Sequence, residues 1–315
     1  MTKSRILVLG GSGFVGKEVA RQLSASDWAV PVVASRFAKS QGGLETIQVD
    51  TLDSASLAKA LVGIQGVINC VAGEGRAISD GAAILVKAAL AASKPRIIHM
   101  SSMSVYGTAE GVIDESHICR DDLGWYGHAK IEAEKRILEY AELGGEAVIL
   151  RPGCIVGPGS RLWVDRIKTW LKAGRLGDLG AYGDGPANLV DVRDVAQAAV
   201  RGLALKLGTS QCEIFNIASP DSPRWNEYFS DLALQIGAIP LKTFGTRRLQ
   251  LDAYAVGVPT KVVEKILQRI LKKPAPLPEA IPPSLLGLWQ QQIYLDSSKA
   301  TSLLGLNWTK YGSKI

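Results

Sequence analysis

Ile6-Leu7-Val8-Leu9-Gly10-Gly11-Ser12-Gly13-Phe14-Val15-Gly16 is an apolar run that breaks on a GxxGxxG turn. The run predicts a strand buried on both faces, and the glycines predict a tight turn opening a helix. In such a turn Gly10 makes the bend, Gly13 lets backbone approach a pyrophosphate, and Gly16 lets the helix lie close to the strand. Gly11, Ser12, Phe14 and Val15 complete the cradle, and the anion sits on the free N–H groups of the helix start. By itself the turn also fits an ordinary strand-to-helix connection, so the rest of the chain has to decide.

Similar apolar, β-branched runs recur at 30–36, 44–50, 66–72, 96–102 and 147–155, with helical patterns at 16–24, 54–61, 79–92 and 126–143 between them. Strands alternating with helices predict right-handed βαβ units and an α/β fold, a Rossmann doubly wound parallel sheet. After about Gly157 the rhythm breaks into Gly157-Pro158-Gly159 and Gly183-Asp184-Gly185-Pro186, with tryptophans at 163, 170 and 225. A helix over 192–205 and a strand over 213–218 return to the main sheet. The expected division is therefore a dinucleotide-binding domain over 1–157 plus about 190–218, and a smaller, discontinuous substrate domain over about 158–189 and 219–315.

The chain has 315 residues, 47% of them apolar and 21% charged, which suits a globular protein able to bury a core without disulfides or metal. No apolar run reaches the ~20 residues needed to span a bilayer. The basic start followed by Ile6 to Leu9 lacks the long apolar region of a signal peptide. Cys70, Cys119, Cys154 and Cys212 are far apart, with no CxxC and no clustered histidine among His99, His117 and His128. That spacing argues against a metal site or a disulfide framework and predicts a reducing, cytoplasmic setting. The net charge of +6 is local, because 241–273 carries eight basic residues against two acidic ones. Within it, 262–273 reads as an amphipathic helix with its basic side in water, and the lack of interleaved aromatics argues against nucleic acid.

At the end of the second strand an acid would bond a ribose 2′-hydroxyl, whereas an arginine accommodates a 2′-phosphate. Ser35-Arg36 stands there, which favours NADP, with NAD as the alternative. A solvated arginine at a strand end is the plain reading. Further on, Tyr126 and Lys130 are i and i+4 on one helical face, so an ammonium can lower the phenol's ordinary pKa of ~10. Upstream, the hydroxyls of 101–107 fall at the C-terminal edge of the sheet, where such folds bind ligands.

The glycine turn, 101–107, Tyr126-Gly127-His128-Ala129-Lys130, Leu150-Arg151-Pro152-Gly153 with Gly157-Pro158-Gly159, and Asn188 to Ala196 together resemble the extended short-chain dehydrogenase/reductases, which include the NAD-dependent epimerase/dehydratase group. The resemblance implies Tyr126 as acid/base, Lys130 on the nicotinamide ribose and depressing the tyrosine pKa, and Ser102 orienting a substrate oxygen. It puts Asp50 and Thr51 near adenine, Val71, Ala72 and Gly73 near the cofactor ribose, and Arg151, Pro152 and Gly153 at the nicotinamide. It also implies a homodimer.

Departures from the family pattern narrow the chemistry. Met103-Ser104 replaces the Asp-Glu pair of sugar-nucleotide dehydratases, so dehydration is not expected. Cys154, and Ala187 or Asn188, stand where epimerases resembling this chain carry an asparagine and an arginine on the diphosphate. A reductase or dehydrogenase acting on a ketone or secondary alcohol, including a sugar derivative, therefore leads. A nucleotide-sugar epimerase retaining NAD is the alternative, and a non-catalytic dinucleotide sensor is a third reading. Candidate substrate contacts are Arg76, Ser104, Cys154, Trp163 and Asn188. The bland alternatives are a solvated Arg76 and core packing for Trp163 and Trp170.

Overall fold

The computed structural model describes residues 3–37, 43–245 and 281–312, so the 262–273 helix expected above lies outside the described residues. Seven parallel strands make the main sheet: β1 (Ser4–Leu9), β2 (Ala29–Ser35), β3 (Glu45–Gln48), β4 (Gly66–Asn69), β5 (Arg96–Met100), β7 (Ala147–Pro152) and β10 (Cys212–Ile217). Their order is β10-β7-β5-β4-β1-β2-β3, so the winding direction reverses at β1. Short strands β6 (Gly111–Ile113), β8 (Cys154–Val156), β9 (Leu189–Asp191) and β11 (Ile293–Leu295) pair outside this sheet, β6 with β11 and β8 with β9.

The continuous apolar runs become strands because both faces of the sheet are covered. Ile6 and Val8 join one core with Val19 and Leu23 of α1 (Phe14–Ser24) and Val195 and Ala199 of α6 (Val192–Gly202). Leu7 and Leu9 point the other way, into a core with Leu57 of α2 (Ser54–Ala60), Leu85 of α3 (Gly75–Ala91) and Ile137 of α4 (Trp125–Glu142). α3 opens four residues before the predicted pattern, on Gly75-Arg76, where no apolar periodicity signals a helix.

The chain divides into two units. The sheet unit comprises Met1–Ile155, Val190–Pro220 and Leu295–Lys310. The last segment, which the sequence reading grouped with the smaller region, carries α9 (Ser298–Leu303) and is tied to the sheet unit by specific bonds. Asp194 accepts from both Thr309 N–H and Thr309 Oγ1 at 2.8 Å, and Lys299 Nζ donates to Ile214 O at 2.9 Å. The smaller unit comprises Val156–Leu189, Asp221–Tyr294 and Tyr311–Ile315, with α5 (Arg166–Lys172), α7 (Trp225–Gln235) and α8 (Pro283–Gln290). Its core is aromatic: Trp170, Trp225 and Trp289 are fully buried, and Phe229 meets Trp289 edge-on at 5.1 Å.

The glycine turn lies at the reversal point. Gly10 has φ +71°, and a side chain on it would meet Cys70 O at 2.9 Å. A Cβ on Gly16 would overlap Gly10 O, so α1 packs against the turn only as glycine. Gly16→Ala is therefore expected to lose about 1–3 kcal/mol of stability by overpacking, read as a lower denaturant midpoint at unchanged slope. An unchanged midpoint would mean that the close approach does not constrain the fold.

Candidate active site

Behind Gly13, α1 begins with no side chain capping its N-terminus and no acid in its first turn. Its leading N–H groups and helix dipole therefore suit an anion, and the tight backbone approaches at Gly10 and Gly16 fit a pyrophosphate. Across the reversal point, Val71 N–H donates to Asn69 Oδ1 at 3.2 Å, and Gly73 has φ +116° after an exposed Ala72. At the end of β2, Arg36 is exposed, but Ser35 Oγ donates to Phe37 O at 2.6 Å. Its proton is committed to that turn, so a 2′-phosphate would depend on Arg36 rather than on the pair. Asp50 Oδ1 caps its own turn by accepting Leu52 N–H at 3.0 Å, with Thr51 packed by Gly81 of α3.

β5 ends in Ser101-Ser102, and Ser102 begins a tight turn by accepting Ser104 N–H at 3.2 Å. Gly127 brings α4 against that turn, since a Cβ there would come within 3.0 Å of Ser104 O. This contact sets Tyr126 beside Ser102, whose hydroxyl lies near the phenol. Burial pushes the Tyr126 phenol above its ordinary range, and the neighbouring Ser102 hydroxyl only partly reverses this. Desolvation thus outweighs the depression expected from Lys130. Lys130 Nζ lies 5.8 Å from the Tyr126 ring centroid and donates instead to Met100 O at 2.6 Å and Val71 O at 3.5 Å. Lys130 is itself 1% exposed, and burial pulls its pKa down to about 8 against the opposing pull of Cys70 and Glu134. His99 is buried nearby and stays neutral, because desolvation and the Lys130 charge hold it at about 3.

The sequence reading missed the ionic group beneath these residues. Glu134, four residues beyond Lys130, accepts from Ser101 Oγ, from Arg151 Nε at 3.0 Å and from Arg151 Nη2 at 2.6 Å. Both charged side chains are 4% exposed. Burial alone would lower the Arg151 pKa, but Glu134 outweighs it and holds the guanidinium above its ordinary value. Arg151 also donates to Tyr106 Oη at 3.0 Å, and Tyr106 passes its proton toward Asn216 Oδ1 at 2.6 Å. The Arg151 guanidinium is thus engaged by Glu134 and Tyr106 inside the protein. The only sequence signal for Glu134 was its i+4 spacing from Lys130.

Cys154 is 3% exposed, and burial drives its thiol pKa far up. Asn188 is 2% exposed and spends its amide on Pro186 O and Ile293 O within the smaller unit. Trp163, also in that unit, packs at 5.5 Å on Trp225. Arg76 is exposed and pairs with Asp80 at 3.2 Å along α3. Ser104 Oγ is buried with no hydrogen-bond partner among the described residues, beside Ser102. Pro152 is buried at the end of β7, and Gly153 N–H donates to Ile217 O at 3.0 Å. Among the described residues no metal-ligating cluster occurs, and no helix is long and apolar enough to cross a membrane.

A buried ammonium with its pKa near 8 destabilises the cofactor-free fold below that pH. Between 8 and 10.5 the unfolded chain holds more protons than the folded one, so stability rises with pH by up to about 3 kcal/mol. Lys130→Met is expected to melt at or above the wild-type temperature at pH 7 without cofactor, with the gain fading as pH approaches 10.5. A variant less stable at both pH values would contradict the assignment of this cost to Lys130.

Comparison with known proteins agrees with this geometry. Residues 6–218 match the model of the NAD dependent epimerase/dehydratase family. Protein YeeZ of Escherichia coli is 28% identical over 258 residues, spanning 73% of this chain and 83% of the relative. A putative dihydroflavonol 4-reductase of Synechocystis sp. is 25% identical over 320 residues, spanning 95% and 89%. MoeE5, solved in complex with UDP-glucuronic acid and NAD, superposes with a TM-score of 0.72 at 22% identity, covering 98% of this chain and 94% of that one. That family match spans residues 6–218, more than half of the sequence, so the chain belongs to the NAD dependent epimerase/dehydratase family.

Proposed function

We propose that this enzyme exchanges hydride between a nicotinamide dinucleotide and the carbon of a ketone or secondary alcohol. The observation that carries the reading is the buried Lys130, its Nζ 5.8 Å from the Tyr126 ring, with the Ser102 hydroxyl beside the phenol. When bound, the dinucleotide supplies or accepts the hydride. Ser102 and Tyr126 hold the substrate oxygen by hydrogen bonds, and Tyr126 Oη gives it a proton in reduction or takes one in oxidation. Two of the three Lys130 N–H groups are held by Met100 O and Val71 O, leaving the third for the ribose. The sheet unit takes the dinucleotide through residues 10–16.

The finer proposal is NADP, with Arg36 meeting the 2′-phosphate. An arginine and no acid at the end of β2 supports it. Arg36→Ala is expected to weaken NADPH about ten- to hundredfold, the worth of a charge-assisted hydrogen bond, and to leave NADH unaffected. Equal effects on both cofactors would remove the NADP assignment. A homodimer is part of the same proposal, and sedimentation of the purified chain tests it.

The reductase reading is supported by the burial of Cys154 and by the burial of Asn188, whose amide donates to Pro186 O and Ile293 O. The second reading, epimerisation with retained NAD, is favoured by the fold it shares with MoeE5. Denaturing the purified protein separates the two readings: stoichiometric NAD in the supernatant would favour epimerisation. An empty protein that oxidises NADPH with β-keto esters or aryl ketones would favour reduction. In either reaction Tyr126→Phe is expected to lose about 10²–10⁴-fold in turnover with dinucleotide affinity retained. Full turnover by that variant would overturn the mechanism.

A further inference from the structure

Tyr126, Lys130 and Glu134 follow one another at four-residue spacing on α4, so they form a column along one face of the helix. The proposed chemistry uses the first two. The third is 3% exposed, and its carboxylate engages two strands at once. One oxygen accepts from Ser101 Oγ at the end of β5, the residue directly before Ser102. Both oxygens accept from the Arg151 fork on β7, which pairs with β5 through Met100↔Leu150.

We propose that Glu134 is a positioning residue, fixing the rotation of α4 against the ends of β5 and β7 and thereby the placement of the Tyr126 hydroxyl beside Ser102. The inference rests on the proposed function, in which those two hydroxyls hold one substrate oxygen. Stability alone is a poor account of this group. Well-packed apolar side chains generally serve as well as a buried ion pair, but they allow a helix to slide or roll. A bidentate fork and a hydroxyl on one carboxylate define a single angular setting. Lys130 feels the same carboxylate, so the column also couples the ammonium to the anchor. The charged or titratable groups facing the anchor are Arg151, Lys130, Tyr106, Cys119 and Cys212.

The test is the triple variant Ser101→Ala/Glu134→Leu/Arg151→Met, which removes the whole ionic group and leaves no unpaired charge. It is assayed in whichever of the two reactions above the wild-type protein performs, together with its melting temperature and dinucleotide affinity. Positioning predicts a folded protein with near wild-type dinucleotide affinity and KM, but a kcat lower by about ten- to hundredfold, the cost of displacing reacting groups by about an ångström. Wild-type kcat in the folded triple variant would overturn the inference. Should the triple variant not fold, Glu134→Asp decides, because it keeps the charge and shortens the reach. Lost kcat at an unaltered melting temperature supports positioning, and unaltered kcat overturns it. A wild-type protein that performed neither reaction would remove the functional reading and this inference together. A fully active triple variant would remove this inference alone.

Discussion

The burial of charge along α4 is the constraint around which the rest of this structure is arranged. Glu134 and Arg151 are each 4% exposed, and removing one partner of such a pair costs about 3–5 kcal/mol because the other is left uncompensated. That penalty ties α4 to the middle of the sheet more specifically than its apolar contacts can. Tyr140, farther along the same helix, adds a second polar tie by donating to Pro95 O at 2.8 Å. With the helix pinned in this way, Gly127 can lie against Ser104 O and the candidate tyrosine meets its serine.

Lys130 extends the same logic. Backbone carbonyls at the ends of two strands, not a carboxylate, hold its ammonium, so it stays inside the protein at a pKa of about 8. A lysine held this way is poised to change charge near neutral pH, whereas a surface lysine is not. The raised Tyr126 pKa follows from the same burial, and it makes the cofactor-free pocket one in which phenol and serine hydroxyl are both neutral. The enzyme thereby keeps its candidate proton donor protonated.

Much of the fold was legible because a strand buried on both faces leaves an apolar run, as at Ile6 to Leu9 and at Ala147 to Leu150. The glycine turn was legible because Gly10 and Gly16 answer steric demands that no other residue meets. Glu134 and Arg151 were not, because in a linear chain a buried ion looks the same as a solvated one. The burial of Cys154 and Asn188 was likewise not legible, because family position marks where a residue stands and not how far its atoms are enclosed. The return of 295–310 to the sheet unit depends on pairings such as Thr309 with Asp194, which are remote in sequence and carry no local pattern.

The central claim is that a nicotinamide hydride goes to a ketone carbon while Tyr126 moves the proton. It is tested most directly by offering the enzyme reduced dinucleotide deuterated at nicotinamide C4, together with a panel of ketones, and locating the label by mass spectrometry. The account predicts deuterium on the carbinol carbon of the product alcohol with matched oxidation of the cofactor. An isomerised sugar formed with no net cofactor oxidation and no label from added dinucleotide would contradict it.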